Sequence, residues 1–199
     1  MPTLLHIKSS LFGDNGQSSQ LAATFIKQWK EVNAGGTVVV RDITTDSLPH
    51  LDATQIGAFM TPAEQRNNEQ QSIVSRSDAL IQEIKDADAI LVGVPMYNFG
   101  IPSQLKAYFD QLARAGETFK HTETGPVGLI NDKPVYLLAT RGGLYKEAGF
   151  DFQIPYVKQF FAFLGLKSSE VIYAEGLNME AVKTDSLNHA NQQISTILS

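Results

Sequence analysis

Ala89-Ile90-Leu91-Val92-Gly93-Val94, running straight into Pro95-Met96-Tyr97-Asn98-Phe99-Gly100-Ile101-Pro102, is the stretch that decides how this chain folds. A strand with one wet face alternates apolar and polar residues, and Ala89–Val94 does not. It therefore reads as a strand covered on both faces, the mark of a parallel sheet. Pro134–Ala139 has the same near-continuous apolar character. Three further β-rich runs, Thr3–Lys8, Thr37–Asp42 and Glu170–Ala174, bring the number of strands to five.

The intervening segments have helical period. Leu21, Phe25 and Trp29 recur every four residues, and Gly35-Gly36 stop that helix. A second helix is predicted to begin at Thr61-Pro62-Ala63-Glu64, with Thr61 as N-cap, Pro62 at the first helical position and Glu64 closing a capping box. Its buried stripe would be Ile73, Val74, Leu80, Ile81 and Ile84. Others are predicted over Ser103–Ala113, Ile154–Leu164 and Met179–Leu198. Strand–helix alternation with right-handed crossovers gives an α/β, doubly wound, five-stranded parallel sheet with helices on both faces. Five strands favour the flavodoxin-like order 2-1-3-4-5, in one domain over residues 1–199. Ile43–Met60 and Arg114–Lys133 are left as long irregular stretches, expected to line a site or an interface.

Composition narrows the function. The chain has 199 residues, 43% hydrophobic and 19% charged, which supplies a core without metal or disulfide support. Cysteine is absent, so a thiolate nucleophile and Cys-ligated metal sites are excluded. The net charge of −5, with no basic stripe, argues against nucleic acid as a partner. No apolar run nears the roughly 20 residues that span a bilayer. The N-terminus has no basic region ahead of an apolar one, so a cytoplasmic location is expected. His6, His50 and His189 show no metal-ligand spacing, and no metal is expected.

In a doubly wound sheet, ligands bind beyond the C-terminal strand ends where the winding reverses. Three loops lie there. After the first strand comes Ser9-Ser10-Leu11-Phe12-Gly13-Asp14-Asn15-Gly16-Gln17-Ser18-Ser19-Gln20, rich in hydroxyls and ending at a helix N-terminus. Free amides and the helix dipole at such an end attract a phosphate, with Ser hydroxyls as added donors; a plain turn with Ser18 as helix cap is the alternative. After the third strand, Pro95 to Pro102 is stiff and aromatic, suited either to wall a flat ring or to plug the sheet end. After the fourth, Ala139-Thr140-Arg141-Gly142-Gly143 lets the backbone approach a ligand closely, or makes an ordinary turn. The chain lacks G-x-G-x-x-G, Gly-Lys-Ser/Thr and G-x-S-x-G, and no Tyr is followed four residues later by Lys. Dinucleotide fingerprints, P-loops, α/β-hydrolase elbows and short-chain dehydrogenases are thereby discounted.

Taken together, Lys8-Ser9-Ser10, Gln17-Ser18-Ser19-Gln20-Leu21, Pro95-Met96-Tyr97-Asn98-Phe99, Gln104-Leu105-Lys106, Ala113-Arg114-Ala115-Gly116 and Arg141-Gly142-Gly143 occur in one order. In this the chain resembles, over nearly its whole length, the FMN-dependent NADH:azo compound and quinone oxidoreductases, the bacterial azoreductase family. The resemblance implies that Ser10, Gly16, Gln17 and Ser18 hold the phosphate and ribityl end of FMN. It implies that Met96, Tyr97, Asn98 and Phe99 embrace the isoalloxazine ring, and that Thr140, Arg141, Gly142 and Gly143 complete its far edge. Gly16 and Thr140 stand where close relatives often have Ser, so Gly16 is expected to weaken the hold on FMN. His121 and Phe163 fall on substrate-pocket positions. The resemblance further implies NADH as reductant, quinones and azo compounds as acceptors, ping-pong two-electron transfer through FMN with no catalytic side chain, and a homodimer. The other class of function, an electron carrier that docks a partner protein, fits less well with the two long extra stretches.

Overall fold

The computed structural model describes residues 1–199. Five strands form one wholly parallel sheet: β1 (Thr3–Lys8), β2 (Thr37–Asp42), β3 (Ala89–Pro95), β6 (Val135–Thr140) and β7 (Ser169–Ala174). Their spatial order is β2-β1-β3-β6-β7. A separate antiparallel hairpin, β4 (Phe119–Thr122) with β5 (Gly125–Gly128), interrupts the numbering. With the hairpin set aside, the order is the expected 2-1-3-4-5.

Period-2 side-chain alternation divides the core between the two faces of the sheet. Leu5, Ile7, Ile90, Val92, Leu137 and Ala139 point one way, onto α3 (Asn68–Asp86), α4 (Ser103–Leu112) and α5 (Gln153–Leu164). Leu4, Leu91, Leu138 and Ile172 point the other way, onto α1 (Gln17–Val32) and α6 (Glu180–Leu198). The central strand β3 is buried at every position, as its continuous apolar run requires.

Three expectations need correction. The helix predicted from Thr61 starts later. Thr61 instead caps the C-terminus of α2 (Ala53–Met60), its hydroxyl donating to Gly57 O at 2.7 Å. Ala63–Gln65 is a single 3₁₀ turn, and α3 begins behind Asn67. Asn67 and Gln70 form a reciprocal capping box at 2.9 and 3.1 Å, satisfying two amides that Thr61 and Glu64 leave alone. Ile43–Met60 is not wholly irregular, because it contains α2, whose Asp52 cap accepts from the Gln55 amide. Arg114–Lys133 contains the β4–β5 hairpin.

Candidate functional site: a cleft at the C-terminal strand ends

The loops after β1, β3 and β6 converge on a cleft of about 290 Å³. Ser10, Phe12 and Gln17 line it from the first loop, Pro95, Met96 and Tyr97 from the second, and Thr140, Arg141 and Gly142 from the third, with Leu177 and Asn178 closing the end beyond β7. A larger groove of about 570 Å³ lies between α1 and α6. Its walls are mostly polar or charged helix side chains, such as Lys27, Gln28 and Glu31, and no strand end contributes to it.

The first loop ends in an open helix terminus. Gly16 is the N-cap of α1 and supplies no side-chain cap, and the first turn holds no acidic residue. The first backbone amide of α1 to find an acceptor is that of Gln20, bonded to Gly16 O at 3.0 Å. The amides of Gln17, Ser18 and Ser19 find none within the chain. Ser19 Oγ is buried and also lacks a partner. Such unspent donors at the positive end of a 16-residue helix favour a phosphate. Ser18 is therefore not the helix cap. A Cβ on Gly16 would fall 1.9 Å from Ser10 Oγ, so Ser10 fills the space that a side chain at position 16 would need. That hydroxyl also accepts from the Phe12 amide at 3.3 Å. Ser9 Oγ donates to Gly93 O at 2.7 Å and ties this loop to β3.

The second loop is a tight aromatic turn. Tyr97 and Gly100 exchange backbone bonds at 3.0 Å in each direction. The Tyr97 hydroxyl accepts from the Leu11 amide at 3.2 Å, and its ring meets Phe12 edge-on at 6.4 Å. Loops one and two thus brace each other across the mouth of the cleft. Met96 and Tyr97 line the cleft, whereas Asn98 and Phe99 stand exposed at its rim, Phe99 against Tyr145 at 5.8 Å.

In the third loop, Arg141 does not reach outward. Its guanidinium is buried and paired with Asp151 at 2.9 Å and Glu175 at 3.2 Å. It also lies over the Tyr173 ring at 5.0 Å. Burial pushes the Asp151 carboxyl up, but the Ile154 amide and Arg141 outweigh it and hold it below the usual range. Burial, then Asp151, pushes the Tyr173 phenol up to about 12. Glu175 Oε1 also accepts from the Tyr145 and Lys146 amides, both at 2.9 Å, so one carboxylate folds the loop back on itself. This loop lines the cleft with Thr140, Arg141 and Gly142 while the Arg141 guanidinium is engaged by its carboxylates. Asn178 lies over Gly142, where a Cβ would meet its Nδ2 at 2.4 Å, and its backbone N–H donates to Gly142 O at 3.0 Å.

Of the residues expected at the site, Ser10, Gln17, Met96, Tyr97, Thr140, Arg141 and Gly142 line one cleft. Gly16 and Ser18 do not line it, Gly16 packing on Ser10 and Ser18 on Gly93, and Gly143 packs on Tyr145. His121 and Phe163 do not line it. They flank Phe119 at 5.4 and 4.3 Å in an aromatic cluster that joins the hairpin to α5. Phe12, Pro95, Leu177 and Asn178 are additional lining residues, Pro95 as the first residue of the aromatic loop. Phe12 sits in the first loop, flagged only for its hydroxyls, and Leu177 and Asn178 follow the last strand, away from the winding reversal.

A parallel sheet of this order, with a phosphate-ready helix terminus and an aromatic wall at its C-terminal edge, defines a flavodoxin-like protein with a mononucleotide-type site. The chain belongs to the Flavodoxin_2 family, flavodoxin-like fold, which matches residues 2–198. It is 63% identical over 179 residues to the FMN-dependent NADH:quinone oxidoreductase of Cellvibrio japonicus, covering 90% of each chain. It is 52% identical to the enzyme of that name from Alcanivorax borkumensis, over 96% of this chain and 97% of the other. Among solved structures, an azoreductase from Bacillus anthracis superposes with a TM-score of 0.91 at 29% identity, covering 100% and 99% of the two chains. An FMN-dependent NADH-azoreductase of the same species, in complex with FMN, gives 0.88 at 26% identity, covering 100% of both chains. The chain is thus a member of the family of FMN-dependent NADH:quinone oxidoreductases and azoreductases.

Proposed function

We propose that this protein is an FMN-dependent NADH:quinone and azo-compound oxidoreductase, with residues 1–199 forming a single FMN-binding domain. The observation that carries the reading is the convergence of three loops on one cleft, with the N-terminus of α1, whose first three amides have no partner, reaching it at Gln17 and Met96-Tyr97 along the wall. FMN, when bound, supplies a two-electron relay from NADH to the acceptor.

The chain's own residues do the remaining work. The amides of Gln17, Ser18 and Ser19, with the Ser10 hydroxyl, receive the phosphate. Met96 and Tyr97 offer a flat, partly apolar wall with backbone groups for a polar ring edge. Gly142 admits close approach of the backbone, and its amide and that of Gly143, which have no acceptor in the chain, are free to serve a site where negative charge develops. The exposed rings of Phe12 and Phe99 flank the open face and exclude water from a stacked reactant. NADH and the acceptor use this same open face in turn, which makes the kinetics ping-pong. No side-chain acid or base is needed.

We also propose a homodimer, acting in the cytoplasm where NADH is abundant. Large apolar side chains stand exposed on α2, such as Ile56 and Met60, and near the cleft, such as Leu144, Phe150 and Phe152. That pattern suits a second copy. His121 and Phe163 lie off the cleft of their own chain, so in this reading any substrate contact they make is to a partner's cleft. No helix is long and apolar enough to cross a membrane.

The test is steady-state turnover of FMN-loaded protein with NADH and menadione, with no other protein present. NADH oxidation that depends on both FMN and menadione is expected, with parallel-line kinetics. Bound FMN without turnover would make the protein an electron carrier instead.

A further inference from the structure

The turn at the cleft's aromatic wall is strained. Between Tyr97 and Gly100, Asn98 has φ +50° and Phe99 has φ +64°. Two positive φ values in a two-residue hairpin turn suit Asn-Gly, and Asn98 fits this pattern. Phe99 does not, because the left-handed region brings an ordinary side chain's Cβ too close to the following carbonyl oxygen. Burial does not hold it there either, since Phe99 is 59% exposed. Backbone of this kind persists where its surroundings over-determine it.

The holding group is Gln153, the first residue of α5, which is itself buried. Its Nε2 donates to Pro95 O at 2.7 Å and Gly100 O at 3.1 Å, one carbonyl on each side of the turn. Its Oε1 faces Arg141 Nη2 at 3.5 Å. A guanidinium can only donate, so it requires the amide oxygen on its side and sends the NH₂ toward the two carbonyls. Asp151 sets the other coordinates. Its Oδ1 accepts from the Gln153 and Ile154 amides at 3.2 and 3.0 Å, while its Oδ2 holds Arg141.

We propose that Gln153 is a positioning residue that clamps the Pro95–Gly100 loop at its base and keeps the aromatic wall in its ligand-accepting shape before any ligand arrives. The clamp acts on the cofactor through the loop rather than by contact. Its role in catalysis rests on the FMN reading above, but its role in the loop does not.

The experiment pairs amide hydrogen exchange on the cofactor-free protein with FMN titration by fluorescence quenching. Gln153→Met keeps the chain length and removes the donor; Gln153→Glu keeps the shape and an oxygen on Arg141 but presents no donor to the carbonyls. In both, exchange at the Tyr97 and Gly100 amides rises about tenfold or more while β6 amides stay protected, and FMN affinity falls by about tenfold, the scale of one or two lost hydrogen bonds. Adding Phe99→Gly to Gln153→Met makes the turn Asn-Gly and restores loop protection and part of the FMN affinity, as a clamp acting through the loop requires. Unprotected Tyr97 and Gly100 amides in the wild type would overturn the proposal. So would variants that exchange and bind FMN like the wild type, or an equal loss of protection in β6, which would mark a general structural role. If Gln153→Met does not fold, Gln153→Glu carries the test. A wild type that takes up no FMN while the variants still loosen the loop would end the FMN reading and leave the clamp standing.

Discussion

Two arginines are buried in this molecule, and they are buried differently. Arg141, at the cleft, is enclosed by two carboxylates that are themselves largely shielded, with Gln153 alongside. Only its Nε lacks an acceptor. Arg114, beyond α4, donates to Ser77 Oγ at 2.9 Å and to Asp78 at 3.2 Å, and Asp78 is more than half exposed. Arg114 also lies over the Phe59 ring of α2 at 4.4 Å. Ser77 donates in turn to Gln111 O at 2.6 Å, and Gln111 Nε2 to Gln55 Oε1 at 2.5 Å, so this network pins α2 onto α3 and α4. The first arginine is locked among charges that cannot be rehydrated cheaply. The second sits among neutral groups and one carboxylate that water already reaches. The cleft side is therefore the rigid region, and the α2 side the one that yields first.

Removing each guanidinium tests that contrast. Arg141→Met leaves Asp151 and Glu175 without their cation and is expected to cost about 3–5 kcal/mol in urea unfolding of the cofactor-free protein, with loss of FMN retention. Arg114→Met is expected to cost about 1–2 kcal/mol, with faster hydrogen exchange in α2 and little change at the cleft. Equal costs would break the comparison. Asn67→Ala, which opens the capping box of the helix carrying Ser77 and Asp78, is expected to cost about 1 kcal/mol without reaching the cleft.

Acid provides the finest probe. The Asp151 carboxyl is held below its ordinary value in the folded protein. Its contribution is therefore present above the unfolded carboxylate range, near pH 4, and is lost as pH falls through the lower folded value. Wild-type stability should fall below about pH 4, and more shallowly in Asp151→Asn, once allowance is made for the lower starting stability of that variant. An unchanged slope would remove Asp151 from the lock. His6 acts in the same direction at higher pH. Burial, then Lys8, holds its imidazole down to about 4, with Asp42 opposing. The unfolded chain then binds the extra proton between about pH 6.5 and 4, so stability drops across that window and His6→Gln should flatten it.

The contrast also shows which features can be read from sequence. The sheet was legible because Ala89–Val94 and Pro134–Ala139 are apolar without alternation, a pattern that only two-sided burial explains. The start of α3 was not, because Thr61-Pro62-Ala63-Glu64 satisfies the local capping rule as well as Asn67 to Gln70 does. What separates them is that one carbonyl of α2, Gly57 O, engages both the amide and the hydroxyl of Thr61. α2 itself is eight residues with a central glycine, and β4 and β5 are four residues each, β5 carrying Gly and Pro, too short to show a period. At the site, the loops that line the cleft were visible through their positions after the strands. The inward turn of Arg141 was not, because one of its carboxylates, Glu175, lies 34 positions further along the chain. Gln153 carried no signal at all, since its importance lies in two backbone carbonyls more than 50 positions away.

The central claim is that the cleft formed by the three loops holds FMN, and the most direct measurement is the visible spectrum of purified protein after FMN is added and the excess removed. Flavin bands near roughly 370 and 450 nm, retained at about one flavin per chain and bleached by NADH without oxygen, are the expected result. A protein that emerges colourless would contradict the reading of all three loops.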